Sequence, residues 1–166
     1  MLVKLIDKIN DNVGRAVSIL ALLFTLITIY DVCMRYLFHE PTRWAFDVVK
    51  QLFGYYTILL GGYALRYGSH VRVDLLVEKF STKTQRWIDI IGYLIFFFPF
   101  MWVLIVFSYD FAMRSWRQGE VTYGAVQIPV YPLKIALFAG VILLTAQGVA
   151  EFIKLLLKKE EATNGS

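Results

Sequence analysis

"IIGYLIFFFPFMWVLIVFSY", residues 90–109, is the one uncharged run in the chain that reaches the roughly 20 residues a helix needs to cross the hydrocarbon core of a bilayer. Three shorter uncharged runs accompany it: Ala16–Tyr30, Gln51–Leu65 and Ile135–Ala150. Each reaches spanning length only when charged residues at its ends are included: Asp31, Asp47 with Lys50, and Glu151. A short apolar run can also be a buried helix of a soluble protein. Here 58% of the 166 residues are hydrophobic and 18% charged, against about 45–50% and about 25% in soluble domains. Too little polar sequence remains to build a solvated surface. The expected fold is therefore an all-α integral membrane protein with four transmembrane helices, near 13–35, 44–67, 87–110 and 133–156. They form a single domain over residues 1–160, with a flexible tail at 161–166.

Lysine and arginine set the orientation. Lys4, Lys8 and Arg15 precede the first run. Arg66, Arg72, Lys79, Lys83 and Arg86 surround the middle connection, and Lys154, Lys158 and Lys159 follow the last run. These outnumber Arg35, Arg43, Arg114, Arg117 and Lys134 on the other side, so both termini are expected in the cytoplasm. The net charge of +4 needs only anionic lipid headgroups as its partner, and no nucleic acid. Residues 2–13 place Leu2, Leu5, Ile6, Ile9 and Val13 on one helical face, which predicts an amphipathic interfacial helix. Asn10, Asp11, Asn12 and Gly14 would then bend the chain into the first span. The length of this leader and the lack of a small-residue cleavage site argue against a signal peptide. A lone Cys33 excludes an internal disulfide.

Pro99, in the middle of the third span, removes a backbone hydrogen bond and predicts a kink. The loop "RSWRQGEVTYGAVQIPVYP", residues 114–132, is aromatic enough to fold back onto the membrane surface with Trp116, Tyr123 and Tyr131 at headgroup level. Ala136, Gly140, Gly148 and the pair Gly61 and Gly62 allow close helix approach. Whether they pack within the chain or against a partner is open at this level.

Chemistry is hard to find. A haem needs paired intramembrane histidines, yet His39 and His70 lie at or beyond helix ends on opposite sides. Neither His39 with Glu40 nor His70 with Asp74 has the further ligands a metal requires. No nucleophile motif or phosphate loop appears. The chain is expected to be no enzyme and to hold no metal or cofactor. Its unusual residues are charges near the outer ends of the first two helices, where ionisable groups are costly. Asp31 and Arg35 are spaced for an i,i+4 pair, Arg43 and Asp47 repeat that spacing, and Lys50 sits one turn deeper. This cluster either ties two helices together or docks a partner. Its confinement to one end of the bundle argues against an ion pathway.

Residues 64–74, Ala64-x-Arg66-x-Gly68-x-His70-Val71-x-Val73-Asp74, resemble the signature of the small, Q-type membrane subunit of tripartite ATP-independent periplasmic (TRAP) transporters. Other features agree along nearly the whole chain. Arg35-Tyr36-x-Phe38 ends helix one, and Trp44 opens helix two. Asp47 stands where that family commonly has glutamate, Leu60-Gly61 precedes the signature, and Trp116 and Glu120 lie in the outer loop. The resemblance implies an inner-membrane subunit that works with a large membrane subunit and a periplasmic substrate-binding protein to import organic acids. The large subunit would hold substrate and sodium and move like an elevator, while the small one stays fixed as its brace. Arg66, His70, Arg72 and Asp74 would belong to a cytoplasmic interfacial cap, in which the first three meet headgroups or the large subunit and Asp74 caps a short turn. Arg114, Trp116, Arg117 and Glu120 would lie on the landing surface for the binding protein. A self-contained four-helix exporter, with Asp31 as its embedded acid, and an assembly subunit of a membrane complex remain as alternatives.

Overall fold

The computed structural model describes residues 2–67, 82–123 and 126–163. Four helical rods account for almost all of them. Helix α1 runs Leu2–Leu37, α2 runs Ala45–Arg66, and α3 (Thr82–Gly92) continues through a π-helical turn (Tyr93–Phe97) into α4 (Phe98–Gln118). Helix α5 runs Tyr131–Thr163. Three of these rods are long and apolar enough to cross a membrane: Leu2–Leu37, Thr84–Gln118 and Tyr131–Leu157. At 22 residues α2 has the length, but Asp47, Lys50, Gln51 and its tyrosines dilute its apolarity.

Two expectations are corrected. The leader is not a separate interfacial helix, because α1 continues without interruption for 36 residues. The expected bend fails because Asn10 and Gly14 are not capping residues. Both are buried, Asn10 beside Gly62 and Gly14 against the ring of Tyr63, so interhelical packing holds this stretch straight. The perturbation at Pro99 takes the form of the π turn just before it. A proline ring collides with the carbonyl four residues back and offers that carbonyl no N–H. Widening the preceding turn relieves both problems.

Adjacency runs α1–α2–α5–α4, with α1 also reaching α5. Gly62, Gly140 and Gly148 set approach distances within this chain's own packing, whereas Gly61 faces open space. A methyl at Gly140 would lie 2.6 Å from Ile58 Cγ2 and 2.9 Å from its carbonyl oxygen. Gly148 receives the ring of Phe97, which the π turn carries into a cluster with Tyr93, Phe98 and Phe152. Elsewhere the rods show water or lipid an apolar skin: Leu22, Leu26, Phe96, Trp102 and Phe107 are all exposed. In a bilayer such side chains meet a solvent as apolar as themselves, so helices associate through packing and hydrogen bonds instead.

Candidate functional site

The most concentrated polar structure joins α1, α2 and α5 at the end of the bundle that holds the start of α1, here called the inner end, the opposite one being the outer end. Gln147 is fully buried, and its amide accepts from Asn10 Nδ2 at 2.9 Å. The same amide donates to Asp7 at 2.8 Å and Glu151 at 2.9 Å. Lys154 Nζ bridges those two carboxylates, at 3.0 Å from Asp7 and 2.7 Å from Glu151. From α2, Arg66 donates to the Asp7 carbonyl at 2.6 Å and forms an ion pair with Asp11. Tyr67 donates to Asp11 at 3.2 Å. Burial first, then the hydrogen bond to the Asp11 carboxylate, pushes the Tyr67 phenol above its ordinary range. Buried polar groups are tolerable when mutually satisfied, and this knot gives each acid a cation from another helix or from the next turn. Sequence reasoning takes Glu151 as the charged end of the last run and Asp11 as part of a bend. It missed that three helices converge on Gln147. The available signal was a glutamine in an apolar run facing an asparagine–aspartate stretch.

Arg66 is thus committed to α1 and is not free for headgroups. The rest of the proposed cytoplasmic cap, His70, Arg72 and Asp74, lies outside the described residues.

At the outer end Asp31 does pair with Arg35, at 2.8 Å. It also accepts from the hydroxyl of Thr42 and from its backbone N–H at 3.2 Å, pinning the α1–α2 turn. The remaining cluster members behave differently. Arg43 and Lys50 are exposed and Asp47 is half-buried. None of the three forms an ion pair among the described residues, so the expected Arg43–Asp47 pair is not made.

The described part of the outer loop is folded against α2 and α5. A bridge joins Val121 to Pro129, and Gln51 of α2 donates to the Pro129 carbonyl at 3.0 Å. Gly119 ends α4 in the left-handed conformation, which glycine adopts without steric cost. Trp116 packs edge-on against Tyr131 at 5.1 Å. Glu120 pairs with Lys134 at 2.5 Å, and that ammonium also lies over the ring of Phe111. The Lys134 hydrogen bond holds the Glu120 carboxyl below its ordinary range. Glu120 therefore ties the loop to α5 and is not a free rim charge. Arg114 and Arg117 do remain exposed.

No group of three or more histidine, cysteine, aspartate or glutamate residues among those described is arranged to hold a metal. The hydroxyls of Thr25, Thr28 and Thr145 each donate to the carbonyl four residues back at 2.7 Å, so they are spent within their own helices.

A family model for "Tripartite ATP-independent periplasmic transporters, DctQ component" matches residues 24–158. The chain belongs to this family. It is a small, Q-type membrane component of a TRAP transporter and a multi-pass membrane protein, and its family is one of transporter components rather than enzymes. No curated protein matches the chain. The matched region takes in α2, α4, the outer charges and the folded loop, and it ends past Gln147, Glu151 and Lys154. The first turns of α1, which supply Asp7, Asn10 and Asp11 to the knot, precede it.

Proposed function

We propose that this chain is the static brace of a sodium-coupled, binding-protein-dependent importer of organic acids in the bacterial inner membrane. In this reading α2 is a fourth span and both termini lie in the cytoplasm. The large membrane subunit holds substrate and sodium, and the outer loop helps receive the periplasmic binding protein. One observation carries the proposal: Asp7, Asp11, Arg66, Gln147 and Lys154 are spent on tying α1, α2 and α5 to one another. Transporter substrate sites instead use interrupted helices that aim free backbone groups and polar side chains into a cavity. The interruption in this chain, the π turn, is packed with aromatic rings. A sliding transport domain requires a neighbour that holds still, and a knotted bundle suits that part.

Arg43, Asp47 and Lys50, close together around the start of α2, are among the charges that form no ion pair within the described residues. They support a contact with the large subunit near the outer surface. The exporter alternative loses its basis, because Asp31 is occupied by Arg35 and Thr42.

The test is uptake by the reconstituted transporter carrying Asp47→Asn or Asp31→Asn. Both variants are expected to lower the yield of assembled complex: Asp31→Asn strands the Arg35 charge, and Asp47→Asn removes a charge offered to the large subunit. The sodium-to-substrate ratio of the complexes that do form stays at the wild-type value. A changed ratio in either variant would place an ion path in this chain and end the brace reading.

A further inference from the structure

Helix α1 begins with three cations, Lys4, Lys8 and Arg15, and two acids, Asp7 and Asp11. The fold treats the two signs differently. Both acids turn into the bundle and are neutralised by Arg66 and Lys154. The three cations stay exposed and form no ion pair among the described residues. At 3.6 residues per turn they fall within about 40° of one another around the helix, on the side away from Asn10, Gly14 and Val17, which are buried. The same sector continues upward through Ile19, Leu22, Leu26 and Ile29, each more than half exposed. A column of bare apolar side chains ending in a column of bare cations has the chemistry of a phospholipid, acyl chain above and phosphate below.

We propose that this face of α1 is a binding site for anionic phospholipid. Arg15, next to the first apolar residue of the span, is at phosphate depth. Lys8 and Lys4 extend the site by about 10 and 16 Å along the axis. With 36 residues, α1 is about 54 Å long, more than the roughly 40–45 Å of a whole bilayer. A long helix accommodates by tilting, and a tilt toward the basic face brings Lys8 toward the headgroup plane. The contribution of each cation falls with distance over roughly a Debye length, so Arg15 matters most and Lys4 least. The three cations precede the family-matched residues 24–158, and the site stands on α1 crossing the membrane, not on the transport reading.

The experiment uses the transporter complex purified with its large subunit and placed in nanodiscs of phosphatidylcholine with or without phosphatidylglycerol. Retained lipid is then counted by native mass spectrometry. Wild type is expected to retain phosphatidylglycerol over phosphatidylcholine, and less so at high salt. A cation near an anionic surface is worth about fivefold in affinity. Arg15→Gln therefore weakens retention about fivefold, and the triple variant K4Q/K8Q/R15Q more than that but short of the roughly 100-fold that three equal contributions would give. The charge-preserving set K4R/K8R/R15K keeps it, as does Arg114→Gln at the far end of the bundle. Equal retention of both lipids by wild type would overturn the proposal. So would equal loss in the charge-preserving set, or a triple variant that sheds the large subunit while keeping its lipid. That last result would make the stripe a protein interface.

Discussion

The two ends of this bundle handle charge in opposite ways. At the inner end Asp7, Asp11, Glu151, Arg66 and Lys154 meet around Gln147, and the pairs cross between α1, α2 and α5. At the outer end the pairs are local: Asp31 with Arg35 four residues on, and Glu120 with Lys134 at the foot of its own loop. Arg43, Asp47 and Lys50 make none among the described residues. The inner end is knotted between helices, with its unpaired cations Lys4, Lys8 and Arg15 on the outside of α1. The outer end has only local pairs and leaves the charges around the start of α2 uncommitted, so the first is built to be rigid and the second to be recognised. Stability should therefore reside inside, and partner contacts outside.

The largest effect expected from breaking this contrast is at Gln147. Replacing it with leucine removes three hydrogen bonds and leaves Asn10 and Asp7 short of partners. Hydrogen bonds between membrane helices average about 0.6 kcal/mol each, and stranding a buried polar group costs about 1–3 kcal/mol. Gln147→Leu should therefore destabilise the chain by about 2–3 kcal/mol, measured as resistance to denaturing detergent. Adding Asn10→Leu should recover part of the loss, because removing both partners avoids the stranded amide. Asp47→Asn should leave the same measurement nearly unmoved. Equal losses from Gln147→Leu and Asp47→Asn would erase the difference between the two ends.

A smaller effect belongs to the outer loop. Glu120 is held below its ordinary range by Lys134. A depressed carboxyl adds stability at pH values above its unfolded value and loses it as pH falls through the folded one. The loop should stay docked at neutral pH and loosen only below about pH 4.3, the ordinary glutamate value. Proteolysis between Gly119 and Pro132 across that range reads the change, and Glu120→Gln should be cleaved at neutral pH as readily as wild type is in acid. A wild-type loop equally resistant on both sides of that window would remove Lys134 as its anchor.

The smallest effect is at Arg114 and Arg117. Rim charges chiefly alter association rate and its salt dependence. Arg117→Gln should reduce uptake severalfold at low binding-protein concentration and recover at saturation. A loss of maximal rate in an intact complex would place the loop later in the cycle than docking.

Much of this architecture was legible in the sequence, and the failures have physical causes. The apolar runs marked the helices and Pro99 the disturbance within the third, because hydropathy and backbone chemistry are local. The motif around Arg66 and the outer tryptophan pointed to the family. Two errors came from residues whose local and tertiary roles conflict. Asn10 and Gly14 look like a bend until α2 and α5 supply a partner for each, and Glu120 looks like a rim charge until the loop folds back on Lys134. Gln147 was hidden for the same reason. A lone glutamine in an apolar run gains meaning only when Asn10 and Asp7, some 140 positions earlier, are brought beside it.

The central claim, that this chain stays fixed while its partner moves, is tested most directly by locking it. In the assembled transporter Cys33→Ser removes the native thiol, and Phe24→Cys with Phe53→Cys places thiols on α1 and α2 where two rings now meet at 5.8 Å. A short bismaleimide then fastens the helices together. The account predicts that the cross-linked transporter takes up substrate at the rate of its uncross-linked control. A cross-link that stops uptake while the complex stays intact would show that α1 and α2 move against each other during transport, and that the chain is not a brace.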